Sequence, residues 1–239
     1  LVLDADVTIT SSDGETEKLS LMPYGESPFY FAYVSNMVGK ENTTYDLEIK
    51  WAGKTYTSRT SILHTFELDS IGLDHSLETL ADTSYTVRVL MTDDASEMNY
   101  YQFFIKIHGR KLHDNIWVTA LPVSFDDATF NGQQFTYEVL RSNPSTFFMP
   151  KMDEEAQREY FRMTCRPGDT VYVKHCQMDY DSYQFWNTGG NEAAMGQNPF
   201  MNPAPIISNI HGDNVSGLWC GYAAKTDVLI YDEIVKPKR

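Results

Sequence analysis

The stretch TTYDLEIKWAGKTYTSRT, residues 43–60, decides the fold class. Tyr45, Leu47, Ile49 and Trp51 alternate strictly with Asp46, Glu48 and Lys50, the two-residue period of a strand with one buried and one wet face. Ala52-Gly53 makes a tight connection into KTYTSRT, so the whole stretch reads as a β-hairpin. The pattern recurs on both sides of it. Upstream, Leu3, Ala5, Val7 and Ile9 alternate, Ser12-Asp13-Gly14 supplies a turn, and Leu19 and Leu21 give a second short strand. PFYFAYV at 28–34 is apolar on both faces, as a central sandwich strand would be.

Downstream, Tyr85, Val87, Val89 and Met91 alternate, then Tyr101, Phe103, Ile105 and Ile107, a pair we read as a second hairpin. Residues 116–124 add a third strand. Asn131-Gly132 is the strongest two-residue hairpin signal in the chain and feeds Phe135, Tyr137 and Val139. Residues 61–80 have few periodic positions and read as a connector between domains. The expected division is an N-terminal domain over 1–62 and a larger C-terminal domain over 63–239. The expected fold is mainly β: an immunoglobulin-like or transthyretin-like sandwich, then an antiparallel β domain, sandwich or partly closed barrel, with one short helix. Asp179 or Asp181 is placed to cap that helix, which runs to Asn187 and stops at Gly189-Gly190. Asp153, Glu154 and Glu155 either open another short helix or form an acidic loop. Residues 206–210, 215–224 and 227–234 are read as closing strands.

Composition narrows the class of partner. The chain has 239 residues, 42% apolar and 22% charged, which is a globular balance with ample core for its length. Its 33 acidic against 19 basic residues give a net charge of −14, a field that repels phosphate backbones and disfavours docking on anionic lipid. No apolar run approaches the ~20 residues of a membrane helix. Leu1 opens inside a strand-like run, VLDADVTIT, from which a targeting segment upstream is expected. Three cysteines cannot all pair internally. Cys165 and Cys176 flank a Pro167-Gly168 turn unevenly, which leaves Cys176 with Cys220 as the open pairing; the default reading is three core thiols.

Searches for chemistry return little. Ser216 lies in NVSGLWC, which is no nucleophile elbow. His175 and Cys176 are adjacent on a strand and point to opposite faces, so they form no dyad. The Asp93-Asp94 and Asp179–Asp181 carboxylates lack the glycine and terminal glutamate of a calcium loop, and the histidines lack zinc spacing. No catalytic residue, metal ligand or cofactor is therefore expected. Aromatics are the unusual resource, at 13% of residues. Tyr180, Trp186, Phe200 and Trp219 are the candidate binding residues, as a stacking platform for a glycan or peptide or as a patch for a protein partner. Tyr183 and Trp186, three residues apart, share a helix face and are expected to pack inward. Phe200, in the Pro-bounded loop NPFMNPAP, is the better contact residue, unless that loop is a strap ordered by its prolines.

ADVTITSSDG, then residues 43–60 and Asp69-Ser70-Ile71, resemble the N-terminal half of a Bacteroidetes family, the domain of unknown function numbered four-two-four-nine. The C-terminal half is similar in its Asn99-Tyr100-Tyr101 strand start, Gly168-Asp169 turn, Tyr183/Phe185 helix, NPF at 198–200 and SNI at 208–210. One departure is that Gly217 precedes Leu218 and Trp219, where the family usually has a Gly-Phe pair. The resemblance implies an outer-membrane lipoprotein, surface-exposed and held by an anchor cysteine outside this chain. It implies a neighbouring TonB-dependent receptor as partner, and carries no catalytic residues. The function expected is a non-enzymatic accessory or ligand-binding component of a nutrient uptake system; the alternative is a structural or adhesive module binding host protein or glycan.

Overall fold

The computed structural model describes residues 2–24, 30–75, 85–108, 117–142, 153–160, 162, 164–195 and 205–231. Strands β5 (Thr43–Trp51) and β6 (Lys54–Ile62) form the expected hairpin, paired from Thr43↔Ile62 to Trp51↔Lys54. Ala52 and Gly53 both take left-handed φ, 49° and 75°, the conformation whose twist matches that of the strands it joins. β1 (Asp6–Ser11) pairs antiparallel with β5, and β2 (Thr16–Lys18) completes a sheet ordered β2-β1-β5-β6. Register puts Val7, Ile9, Tyr45 and Leu47 on one face, all buried. The other face carries Asp6–Lys18, Glu48–Lys50 and Asp46–Arg59 ion pairs, all well exposed. Such pairs add little stability; they keep that face in water.

β3 (Ser20–Pro23) and β4 (Phe31–Val34) form a separate two-stranded sheet. Phe31–Val34 is thus no central strand, and residues 28 and 29 of the expected strand lie outside the described residues. Tyr33 packs on the core of Val7, Ile9, Tyr45 and Leu47, while Tyr30, Phe31 and Val34 stay exposed. Apolar residues on both faces do not make a buried strand here: among the described residues, Tyr33 packs on the core while its neighbours Phe31 and Val34 are exposed.

Two compact units emerge: Leu1–Thr65 with Gln177–Ala223, and Phe66–Cys176 with Ala224–Arg239. The chain therefore returns to its first unit after leaving it, which differs from a single division at residue 62. The returning segment is tied by side-chain bonds to backbone that no strand periodicity reveals. Helix α2 (Tyr180–Met195) belongs to it. Asp179 is the N-cap, accepting the Ser182 N–H at 2.9 Å. The helix runs straight through Gly189-Gly190, the expected stop. Thr188 Oγ1 donates to the Gln184 carbonyl and accepts the Ile207 N–H, which holds this turn where glycine alone would loosen it.

The second unit is one curled sheet. Its strands are β7 (Ser70–His75), β8 (Tyr85–Thr92), β9 (Tyr100–His108), β10 (Val118–Leu121), β11 (Phe125–Asp126), β12 (Gln134–Arg141), β13 (Thr170–Gln177) and β14 (Ala224–Ile230). They are ordered β14-β13-β9-β10-β12-β8-β7, with β11 beside β9. A short helix, α1 (Glu154–Tyr160), opens at the acidic run 153–155. The two end strands come into contact, so the sheet closes nearly into a barrel. The inward sets Val87, Val89, Met91 and Tyr101, Phe103, Ile105, Ile107 are buried as the alternation requires. They are not hairpin partners, however: β10 and β12 lie between β8 and β9. β7 lies in the stretch read as a connector between domains, and pairs with β8 from Ser70↔Leu90 to His75↔Tyr85.

Asn131-Gly132 also joins no hairpin. Gln133 N–H bonds the Phe130 carbonyl across it at 2.8 Å and Gly132 N–H bonds Asp93 Oδ2 at 2.8 Å, so the turn is anchored to the end of β8. The lumen is filled by rings. Phe103–Tyr137 and Phe66–Tyr101 have centroids 4.9 and 5.1 Å apart, and Phe130–Phe135 stack at 4.1 Å. This is packed core of the kind small barrels need. All three cysteines are free.

Candidate functional site

The first unit contains a cleft of about 200 Å³. Its floor comes from the buried face of the sheet: Ile9 of β1, Tyr45 of β5, Thr60 and Ile62 of β6. One wall is the irregular segment after β4, through Ser35, Met37 and Gly39; the other is Trp219, Cys220 and Gly221. Each wall is held in place by a carboxylate.

Glu17, on β2, holds the first wall. It accepts the Ser35 hydroxyl at 2.5 Å, the Asn36 N–H at 2.9 Å and the Met37 N–H at 2.8 Å. These bonds, the Asn36 amide first, keep its carboxyl below the usual carboxylate range, so it is ionised at neutral pH. Asp179 holds the second. Besides capping α2 it accepts the Thr60 hydroxyl at 2.7 Å and the Ser61 N–H at 2.8 Å. Thr60 Oγ1 in turn accepts the Gly221 N–H at 3.0 Å.

The SNI motif at 208–210 explains how a segment without regular strand structure is fixed. Asn209 behaves as a side-chain peptide group: Nδ2 donates to the Trp219 carbonyl at 2.6 Å and Oδ1 accepts the Trp219 N–H at 2.8 Å. Its own carbonyl accepts the Ser58 hydroxyl at 2.7 Å. Ser208 likewise binds both the N–H and the carbonyl of Gly217, at 3.0 and 2.9 Å. Trp219 is thereby clamped over the sheet, its indole N–H reaching the Tyr45 carbonyl at 3.3 Å. Residues 215–223 therefore need no ladder pairing and are not the strand expected there.

Of the four expected binding residues, Trp219 lines the cleft. Tyr180 is exposed at the start of α2, where its hydroxyl accepts the Gln184 amide at 2.6 Å. Trp186 packs edge-on against Phe185, centroids 5.6 Å apart. Neither lines the cleft, and Phe200 lies outside the described residues. Sequence reading missed Ile9, Met37, Tyr45 and Thr60. Strict alternation marked Ile9 and Tyr45 as inward, but a strand pattern cannot distinguish a core contact from a cleft wall.

Thiol chemistry is poorly served. Burial pushes Cys220, beside the cleft, up to about 11, and Cys165 up to about 12, so both are protonated at neutral pH. In the second unit His175 Nε2 lies 2.9 Å from Asp227 Oδ2 while Cys176 Sγ faces the Gln102 carbonyl. Burial lowers the affinity of His175 for a proton, against the opposing pull of Asp227.

A family model, Domain of unknown function (DUF4249), matches residues 1–227. The chain belongs to this family. The matched residues include the cleft-lining residues of the first unit and most of the second unit's strands. Comparison with curated proteins and with solved structures gave no match.

Proposed function

We propose that this DUF4249 chain is a non-enzymatic binding protein whose first unit holds a small, mostly apolar ligand in the cleft under Trp219. It does so as an accessory component of a TonB-dependent nutrient uptake system, lipid-anchored at the outer membrane. The observation that carries the reading is the cleft itself: a concave, aromatic-walled space whose two walls are fixed by ionised or hydrogen-bonded carboxylates rather than left to collapse. Its one thiol is protonated at neutral pH, which argues for binding over nucleophilic chemistry. The uptake setting rests on the family resemblance and on an acidic charge unsuited to nucleic acid. Co-purification of the full-length anchored protein with the receptor encoded beside it is the test. A receptor that is recovered without the protein, and transports normally when it is deleted, would refute the uptake role.

A further inference from the structure

The hydroxyls of the cleft define what it can accept. Ser35 donates its single hydroxyl proton to Glu17 Oε2, and Thr60 donates its own to Asp179 Oδ2. Toward any further group both oxygens are then acceptors only. Each already takes one backbone N–H, from Met37 at 2.9 Å and from Gly221 at 3.0 Å, and keeps one lone pair. Tyr45 is the complement. Its oxygen accepts the Lys40 N–H at 2.8 Å, and its own O–H has no acceptor among the described residues. The group that satisfies both is one that donates and accepts at the same atom, a hydroxyl.

Size and surroundings define the rest. An apolar cavity of about 150 Å³ is enough for benzene, and this cleft measures about 200 Å³. Trp219 and Tyr45 offer ring surfaces, with Ile9, Met37 and Ile62 completing an apolar lining. Among the described residues no charged side chain lines it, and the carboxyl groups of Glu17 and Asp179, bonded to the Ser35 and Thr60 hydroxyls, disfavour an anion. Gly39 and Gly221 pass so close to Ile62 that a methyl group on either would stand 2.6 and 2.8 Å from its side-chain carbons, so the walls meet the floor there without a gap.

We infer that the cleft selects a neutral phenolic ring, free or as a tyrosine side chain, with its hydroxyl seated between Tyr45 and the Ser35 and Thr60 oxygens. This rests on the cleft being a binding site, as proposed above, and adds the ligand class. The probe is the indole N–H resonance of Trp219 in the whole protein, assigned as the one lost in Trp219→Phe. It is followed while p-cresol, 4-methylanisole, p-toluate and N-acetyltyrosinamide are each titrated to about 10 mM.

The expected order is p-cresol tighter than its methyl ether by about 5- to 10-fold, the yield of one net hydrogen bond, with p-toluate weakest. Ser35→Ala, which removes one acceptor, should narrow the gap. N-acetyltyrosinamide binding at least as well as p-cresol would assign the ring to a peptide; markedly weaker binding would assign it to a free phenol. If the ether shifts the resonance at the same concentration as p-cresol, the hydroxyl selection is overturned while the cleft stands as a binding site. If none of the four moves it, the ligand class and the cleft reading both fall.

Discussion

Asp179→Ala removes one side chain that performs three separate tasks in the first unit. The carboxylate caps α2 through Ser182 N–H, anchors β6 through Ser61 N–H, and orients the Thr60 hydroxyl that supports Gly221. Loss of an N-cap costs about 1 kcal/mol. Hydrogen bonds to a charged acceptor are worth about 1.5–3 kcal/mol each; the two here are part-buried, and about 1 kcal/mol each is the fitting share. The expected loss is about 3 kcal/mol, or about 6–12 °C in Tm at 2–4 °C per kcal/mol. Asp179→Asn separates the tasks. Asparagine caps as well as aspartate, yet its NH2 must then face the Ser61 N–H, donor against donor, so about 2 kcal/mol should still be lost. Urea titrations followed by circular dichroism and tryptophan fluorescence measure both variants, and Thr60→Val combined with Asp179→Ala should show coupling, since the two share a bond. An alanine variant within about 0.5 kcal/mol of the parent, or an asparagine variant indistinguishable from it, would refute the account of how the cleft wall is held.

Other substitutions probe other links. Arg162 and Asp169, both nearly fully buried, form a bidentate pair at 2.5 and 3.2 Å, and Arg162→Ala should cost about 3–5 kcal/mol by stranding the carboxylate, read as a lower urea midpoint. Gly189→Ala should stabilise α2 by about 0.5–1 kcal/mol, because its Cβ would meet Ile206 Cγ2 at an ordinary 3.8 Å; a lower Tm would mean the glycine is required. Since burial lowers the folded-state pKa of His175, the unfolded chain binds the extra proton first as pH falls. The stability of the neutral form is thus complete above the unfolded value of about 6.5 and declines below it. Urea midpoints at pH 7.5 and 5.5 should differ less in His175→Phe than in the parent protein. Cys220, pushed up to about 11, should react with iodoacetamide far more slowly than a free thiol at pH 8, with the rate rising into the alkaline range.

What the sequence determined by itself is which side of each strand faces inward. Tyr45, Leu47, Val87, Val89, Tyr101 and Phe103 are buried as their alternation says, because side-chain direction along a strand is a local property of the backbone. The 43–60 turn was legible for the same reason, since Ala52-Gly53 carries its own conformation. The cap at Asp179 could be read locally as well, three residues before the N–H it accepts.

Tertiary structure alone decided which strands are partners. β8 and β9 look like a hairpin in sequence, yet the barrel inserts β10 and β12 between them, because closing the sheet satisfies edges that a hairpin would leave open. It also decided that residues 177–223 rejoin the first unit, through bonds such as Ser58–Asn209 and Thr60–Asp179 that span more than a hundred residues. The cleft is a product of that return. Trp219 was visible as an aromatic, but its position over Tyr45 depends on Asn209 imitating a peptide group, and no periodicity along the chain encodes that bond.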